Sequence, residues 1–210
     1  VGTVVLGYDS TVPVTLEDMI HHTAAVARGA KHAHIIGDMP FGSYQTSDAE
    51  AVRSASRLVQ QGRASSVKLE GGARAAERIR AIVAAGIPVM GRIGVMPQTA
   101  GLGPGFRTRT NRDRLIDDAR AVQDAGAYAI VLEVVSPEVT AEITREVKIP
   151  TIGIGSGPDC DGQVLVLYDV LGLYEEPPSF VKQYADFGKQ TVRALEQFAS
   201  DVASRKYPPS

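Results

Sequence analysis

The chain has 210 residues, 44% hydrophobic and 22% charged, which suits a globular protein with a sizeable core. Lys and Arg number 22 against 24 Asp and Glu, a net charge of −2, so no global field points to nucleic acid or an anionic membrane surface. One cysteine, Cys160, excludes an internal disulfide, and no apolar run nears the roughly 20 residues that cross a bilayer. The opening residues carry no basic, cleavable leader and no initiator Met. These features read as a soluble cytoplasmic protein.

Val1 to Pro13 reads as a loop already under way, followed by a helical pattern over about 16–29. A strand-like run, His34 to Asp38, comes next. Ser47, with Glu50 three residues later, signals the start of a helix over about 47–62. The alternation continues with a strand at Ser66–Glu70, a helix near 73–85 and a strand at Pro88–Ile93. Beyond it come a helix near 110–125, a strand at Tyr128–Glu133, a helix near 137–146, and strands at Thr151–Gly155 and Gln163–Leu167. Gly62, Gly86 and Gly126 stand where helices should stop ahead of the next strand. A long C-terminal helix is expected over about 178–205, ending before Tyr207-Pro208-Pro209.

Alternating strands and helices imply an α/β fold with a parallel sheet covered by helices. The pattern holds six strands, whereas a closed barrel needs eight. Two architectures meet this count: an open doubly wound sheet, or a (β/α)8 TIM-type barrel whose first two strands lie outside the given chain. The loop-like opening favours the barrel. No interior stretch has the composition of a linker, so residues 1–210 read as a single domain.

Parallel strands are buried on both faces, so charges inside them are unexpected. Asp38 closes one strand, Lys68 and Glu70 close the next, Arg92 falls near the end of the third, and Glu133 closes the fourth. Lys68 and Glu70, two apart, share a face. Barrel enzymes gather catalytic groups at these carboxyl ends. Buried like charges are costly unless paired or metal-bound. Two carboxylates with open positions suit Mg²⁺, and a third could serve as a base. Zinc is disfavoured because no His or Cys lies at suitable spacing. Taken singly, a strand-end acid is more often a helix cap or ion-pair partner than a catalyst. Lys68 could merely neutralise Glu70, and Arg92 the mouth.

At this point several blocks resemble the ketopantoate hydroxymethyltransferase family, within the phosphoenolpyruvate mutase-like barrels. They include Gly7-Tyr8-Asp9-Ser10-Thr11-Val12-Pro13-Val14-Thr15, Gly37-Asp38-Met39-Pro40-Phe41 and Val67-Lys68-Leu69-Glu70-Gly71-Gly72. Further blocks are His22 to Ala30, Pro97-Gln98, Val131-Leu132-Glu133, Ile152 to Gly157 and Cys160 to Val166. The resemblance spans nearly the whole chain, and it implies a (β/α)8 barrel, Mg²⁺ dependence, pantothenate biosynthesis and a homo-oligomer, a decamer in that family. The implied reaction transfers a hydroxymethyl group from 5,10-methylenetetrahydrofolate to the small 2-oxo acid 3-methyl-2-oxobutanoate through a Mg-stabilised enolate, giving ketopantoate. It also implies that Asp38 and Glu70 hold the metal, Asp38 and Lys68 contact substrate, and Glu133 is the general base. Related readings are a metal-dependent aldol or lyase-type enzyme on another 2-oxo acid, or a non-catalytic binding paralogue.

This chain departs from the family pattern in three places. The family's Gly-Asp-Ser turn, with another metal-binding Asp and a substrate-binding Ser, would fall immediately before Val1. The expectation is therefore an upstream segment of roughly 45–60 residues, the length of two βα units. Arg92 replaces a His; it can bind a substrate carboxylate bidentately but cannot exchange a proton near neutral pH. The loop after Pro97-Gln98 places four arginines, Arg107, Arg109, Arg112 and Arg114, within eight residues. They could hold an anionic cosubstrate such as a folate glutamate tail, meet another subunit, or form a solvated basic loop. Plain readings suffice for other residues: His21, His22, His32 and His34 as structural, and Cys160 as a packed thiol without a His partner. Gly153, Gly155 and Gly157 serve close packing rather than a dinucleotide turn.

Overall fold

Thr15 sets the start of helix α1 (Leu16–Gly29): its hydroxyl accepts from Asp18 N, and the Asp18 carboxylate accepts from Thr15 N at 2.9 Å. The computed structural model describes residues 1–100, 108–174 and 176–209. Contacts group them into two compact units, Val1–Gln163 and Val164–Ser210. Arg107, which opens the arginine-rich loop, lies outside the described residues.

In the first unit α1 leads to strand β1 (Ile36–Asp38), helix α2 (Asp48–Gln60) and strand β2 (Ser66–Glu70). Ser47 caps α2 as its sequence predicts, accepting from Glu50 N at 3.2 Å. A 3₁₀ turn (Gly72–Ala75) and α3 (Ala76–Ala84) then lead to β3 (Val89–Gly94). A short α4 (Pro97–Ala100), α5 (Arg112–Asp124), β4 (Ala129–Glu133), α6 (Pro137–Glu146), β5 (Thr151–Ile154) and β6 (Gly162–Gln163) complete the unit. Gly86 and Gly126 take φ of +85° and +95°, the left-handed conformation that stops a helix without a side-chain clash.

All neighbouring strands pair in parallel, in the spatial order β1-β2-β3-β4-β5-β6. A doubly wound sheet would reverse strand order at a switch point. This one does not. Sequential order with an intervening helix at almost every step is the (β/α)-barrel arrangement.

The sheet separates two apolar clusters. Val67, Leu69, Val89, Ile93, Ile130 and Leu132 face the helices and meet Leu58, Ile79, Ile82, Ile116 and Ile143 in the main core. The opposite face carries a smaller cluster of Met90, Ala129 and Val131, with Ile36, Ile152 and Ile154 beside it. Side chains alternate along a strand, so the odd-one-out polar residues of β2, β3 and β4 fall on this second face.

The second unit holds α7 (Leu167–Leu171) and α8 (Phe187–Ala203). Two expectations are corrected here. The strand expected at Gln163–Leu167 is confined to Gly162–Gln163, and Leu167 opens a helix; β-branched propensity alone does not make a strand without a pairing neighbour. The C-terminal helix begins at Phe187 rather than near 178, because Pro177-Pro178 cannot supply backbone donors and the chain stays irregular up to Asp186. Among the described residues no helix is long and apolar enough to cross a membrane.

Candidate active site

Strand register decides which charges meet. Asp38 pairs with Lys68 across β1 and β2, Glu70 with Arg92 across β2 and β3, and Gly94 with Glu133 across β3 and β4. Asp38, Glu70 and Glu133 are each the last residue of their strand. All five predicted site residues therefore converge at the carboxyl end of one sheet face.

The contacts form a short chain. Lys68 Nζ lies 2.8 Å from Asp38 Oδ1. Arg92 Nη1 lies 3.4 Å from Glu70 Oε1, and its other terminal nitrogen contacts Glu133. The Lys68, Glu70, Arg92 and Glu133 side chains are only 13%, 4%, 11% and 12% exposed, whereas Asp38 is 41% exposed. Among the described residues, three of the six buried side-chain polar atoms without a hydrogen bond are Asp38 Oδ1, Lys68 Nζ and Arg92 Nε. The close Lys68–Asp38 approach is thus Coulombic contact without hydrogen-bond alignment. Leaving such atoms unsatisfied costs about 1–3 kcal/mol each, so their clustering marks a place prepared for further polar groups.

Burial pushes the Glu70 carboxyl above the usual carboxylate range, against the lowering influence of Arg92 and Lys68. Burial likewise pulls the Arg92 guanidinium below its ordinary value, opposed first by Glu70. Arg92 sits between two acids rather than facing open space.

A second layer fixes Glu70, and the sequence reading missed it. Tyr44 donates from its hydroxyl to Gln98 Oε1 at 2.9 Å or to Glu70 O at 3.1 Å, and the same hydroxyl accepts from Glu70 N at 3.3 Å. Gln98 N donates to Glu70 Oε2 at 3.3 Å, and Gln98 Nε2 donates to Met39 O at 2.7 Å. Both side chains are buried. The Pro97-Gln98 block was the available signal, since a Gln one residue into a helix behind a strand can turn inward. Backbone strain adds to the fixing: Val134, directly after Glu133, has φ of +51°, a region that β-branched residues avoid. Its N–H donates to Ile154 O at 2.9 Å and its carbonyl accepts from Arg109 N at 2.8 Å, which hold it there.

The donor set suits a hard divalent cation. Asp38 and Glu70 offer carboxylate oxygens from adjacent strands, with Asp38 Oδ1 buried and lacking a hydrogen bond. Among the described residues no group of three His, Cys, Asp or Glu side chains converges as a ready-made cage. Two protein carboxylates, with water and substrate completing the shell, is a usual Mg²⁺ environment.

The arginine-rich segment divides. Arg112 is taken by Glu142, its Nε donating at 2.7 Å, and by Asp113. Arg109 and Arg114 line a cleft of about 530 Å³ beside the site. His34 Nε2 is 2.8 Å from Ser66 Oγ, which is 2.9 Å from the Tyr128 hydroxyl, so this His joins a polar network at the amino ends of the strands. His21 and His22 stack edge to face on α1, with ring centroids 5.3 Å apart. Cys160 is half-buried, and burial raises its thiol pKa.

A sequential parallel sheet with ionisable groups gathered at its strand ends defines a (β/α)-barrel enzyme. Solved structures share the fold: phosphoenolpyruvate phosphomutase from Streptomyces platensis aligns over 95% of this chain and 71% of its own, with TM-score 0.60 and 13% identity. A phosphonopyruvate hydrolase aligns over 99% and 76%, with TM-score 0.60 and 14% identity. The chain belongs to the ketopantoate hydroxymethyltransferase family, whose description matches residues 1–210. Relatives named 3-methyl-2-oxobutanoate hydroxymethyltransferase are 50% identical in Carboxydothermus hydrogenoformans, covering 99% of this chain and 77% of the relative. The corresponding values are 52%, 99% and 80% in Ignicoccus hospitalis, and 53%, 99% and 75% in Chloroflexus aurantiacus.

Proposed function

We propose that the protein transfers a hydroxymethyl group from 5,10-methylenetetrahydrofolate to 3-methyl-2-oxobutanoate, giving ketopantoate, with Mg²⁺ as cofactor. The observation that supports this most is the convergence of Asp38, Lys68, Glu70, Arg92 and Glu133 on one sheet face, in a chain of this family.

Asp38 and Glu70 would hold the metal. Bound there, Mg²⁺ supplies Lewis acidity toward the oxygens of the 2-oxo acid. Lys68 offers an ammonium group that lacks a hydrogen bond in the resting site and is ready to meet negative charge on the substrate. Glu133 takes the proton from C3 of the acid, and the freed electron pair forms the new carbon–carbon bond to the one-carbon unit; the carbon–nitrogen bonds to the folate break, releasing tetrahydrofolate, and one water supplies the hydroxyl oxygen. For this, the Arg92 contact to Glu133 must loosen, since a carboxylate held by a guanidinium is a poorer base. The substrate carboxylate supplies the replacement partner, because a guanidinium binds carboxylates bidentately. Arg92 thus serves as the substrate-binding residue where the family pattern has His, and it exchanges no proton.

The test uses purified full-length protein with 3-methyl-2-oxobutanoate, methylenetetrahydrofolate and Mg²⁺, with ketopantoate followed by mass spectrometry. Product is expected, and Glu133→Gln should lower its rate by roughly 10²–10⁴-fold. No product from the wild type rejects the reading. Arg92 also motivates a second reading, the same chemistry on another 2-oxo acid. Turnover of a different acid above that of 3-methyl-2-oxobutanoate would select it.

A further inference from the structure

The glycine-rich run after β5 is a motif that the chemistry above leaves unused. Ser156 lies within it, between Gly155 and Gly157, whose φ angles of +62° and +81° are left-handed. A Cβ on Gly157 would stand 2.9 Å from Pro137 Cβ, so the bare glycine lets this turn close onto the start of α6. The Gly157 carbonyl accepts from Gln163 Nε2 at 3.0 Å. The turn is thus held on both sides, and it delivers Ser156, only 1% exposed, to the end of β4.

There the pairing of β4 with β5 runs out. Val134 N donates to Ile154 O at 2.9 Å. Val134 then takes φ of +51°, and its carbonyl accepts from Arg109 N at 2.8 Å. Ser156 spans this break. Its hydroxyl accepts from Val135 N at 3.1 Å and donates to Leu132 O at 2.8 Å, nearer than Ile154 O at 3.3 Å. One oxygen therefore ties the backbone just before Glu133 to the backbone just after Val134.

We infer that Ser156 is a positioning residue for Glu133: by bracketing the Glu133–Val134 pair, it fixes where the carboxylate points relative to C3 of the acid. The inference rests on Glu133 being the base and deepens that reading. Val134 occupies a region that β-branched residues leave when nothing holds them. With the bracket cut, Val134 relaxes toward negative φ and the Cα–Cβ direction of Glu133 turns with it.

The test follows proton transfer alone. Mg²⁺-loaded full-length protein is mixed with 3-methyl-2-oxobutanoate in D₂O, without a one-carbon donor. The C3 proton passes to the Glu133 carboxylate and exchanges there with solvent, and a deuteron returns to C3, which NMR counts. Ser156→Ala should slow this exchange roughly 10–100-fold per folded molecule, the scale for a displaced reacting group. Ser156→Cys, whose thiol is a weak donor and acceptor, should fall between, and it carries the comparison if the Ala variant does not fold. In a Glu133→Gln background the same substitution should cost less than about twofold, because its effect runs through Glu133. An equal loss in both backgrounds means that Ser156 is merely structural and overturns the inference.

A second readout needs no turnover. Amide hydrogen exchange of residues 132–136, followed by mass spectrometry, should quicken in Ser156→Ala, and unchanged protection overturns the inference. If the wild type exchanges no C3 proton, or Glu133→Gln exchanges it as fast, the base reading falls and takes the inference with it. A slow Glu133→Gln beside a Ser156→Ala of wild-type rate overturns the positioning role alone.

Discussion

Arg92 and Glu70, register neighbours on β3 and β2, form an ion pair at 3.4 Å with only 11% and 4% of their side chains exposed. The same guanidinium contacts Glu133, so one cation neutralises two acids at the strand ends. Replacing Arg92 by Leu leaves both carboxylates buried without it. Removing one partner of a buried pair costs about 3–5 kcal/mol. Denaturant unfolding of Arg92→Leu should show a loss of this order, whereas a loss below about 1 kcal/mol would mean that water already compensates these acids.

The raised pKa of Glu70 sets a pH dependence with a definite sign. An acid whose pKa is higher folded than unfolded binds its proton more tightly in the folded state. Its favourable contribution is complete below the ordinary value of 4.5 and is lost as pH rises through the higher folded value. In EDTA, Glu70→Gln should therefore gain stability relative to wild type as pH rises above 4.5. Unfolding curves from pH 4 upward test this. A difference that stays flat, or shrinks with rising pH, contradicts the burial account.

The hydroxyl of Tyr44 touches the Glu70 backbone and Gln98 together, and Gln98 in turn donates to the Glu70 carboxylate. Tyr44→Phe removes the hydroxyl but keeps the ring packed. It should cost about 1–3 kcal/mol for the unsatisfied buried groups. Because groups behind a ligand orient it, Mg²⁺ affinity should fall by roughly 10–100-fold, measured by calorimetry. An unchanged affinity would falsify the idea that this network positions Glu70 for a metal.

Much of this arrangement was legible beforehand because strand geometry is local. Two-residue alternation puts Lys68 and Glu70 on one face without any tertiary information, and the helix patterns at 16–29 and 137–146 coincide with α1 and α6. What escaped depends on distant partners. Tyr44 and Gln98 are separated by 54 positions, and neither carries a charge to flag it. The Arg92 contacts were equally invisible, since register, not sequence, brings Glu70 and Glu133 to it. Val164 to Leu167 misled for the converse reason: an apolar β-branched run satisfies strand propensity, but Val164, Val166 and Leu167 are 44%, 42% and 63% exposed and pair with nothing in the sheet.

Gly94 ties the packing of the sheet to Glu133, the proposed base. It has φ of +93°, and a Cβ there would stand 2.2 Å from Glu133 O and 2.9 Å from Val135 Cγ2. Gly86 has a similar φ of +85° but open space around it, so it controls for backbone strain alone. Gly86→Ala should cost about 1 kcal/mol or slightly more. Gly94→Ala should cost about 1–3 kcal/mol beyond that, because the backbone carbonyl of Glu133 must move. That movement also shifts the carboxylate from the substrate C3, and a displacement near 1 Å can cost on the order of 10²-fold in rate. Activity of Gly94→Ala, measured on protein shown to be folded, should therefore drop far more than that of Gly86→Ala. Equal activities in the two variants would show that the strand end tolerates the shift and that Glu133 is not held by its backbone.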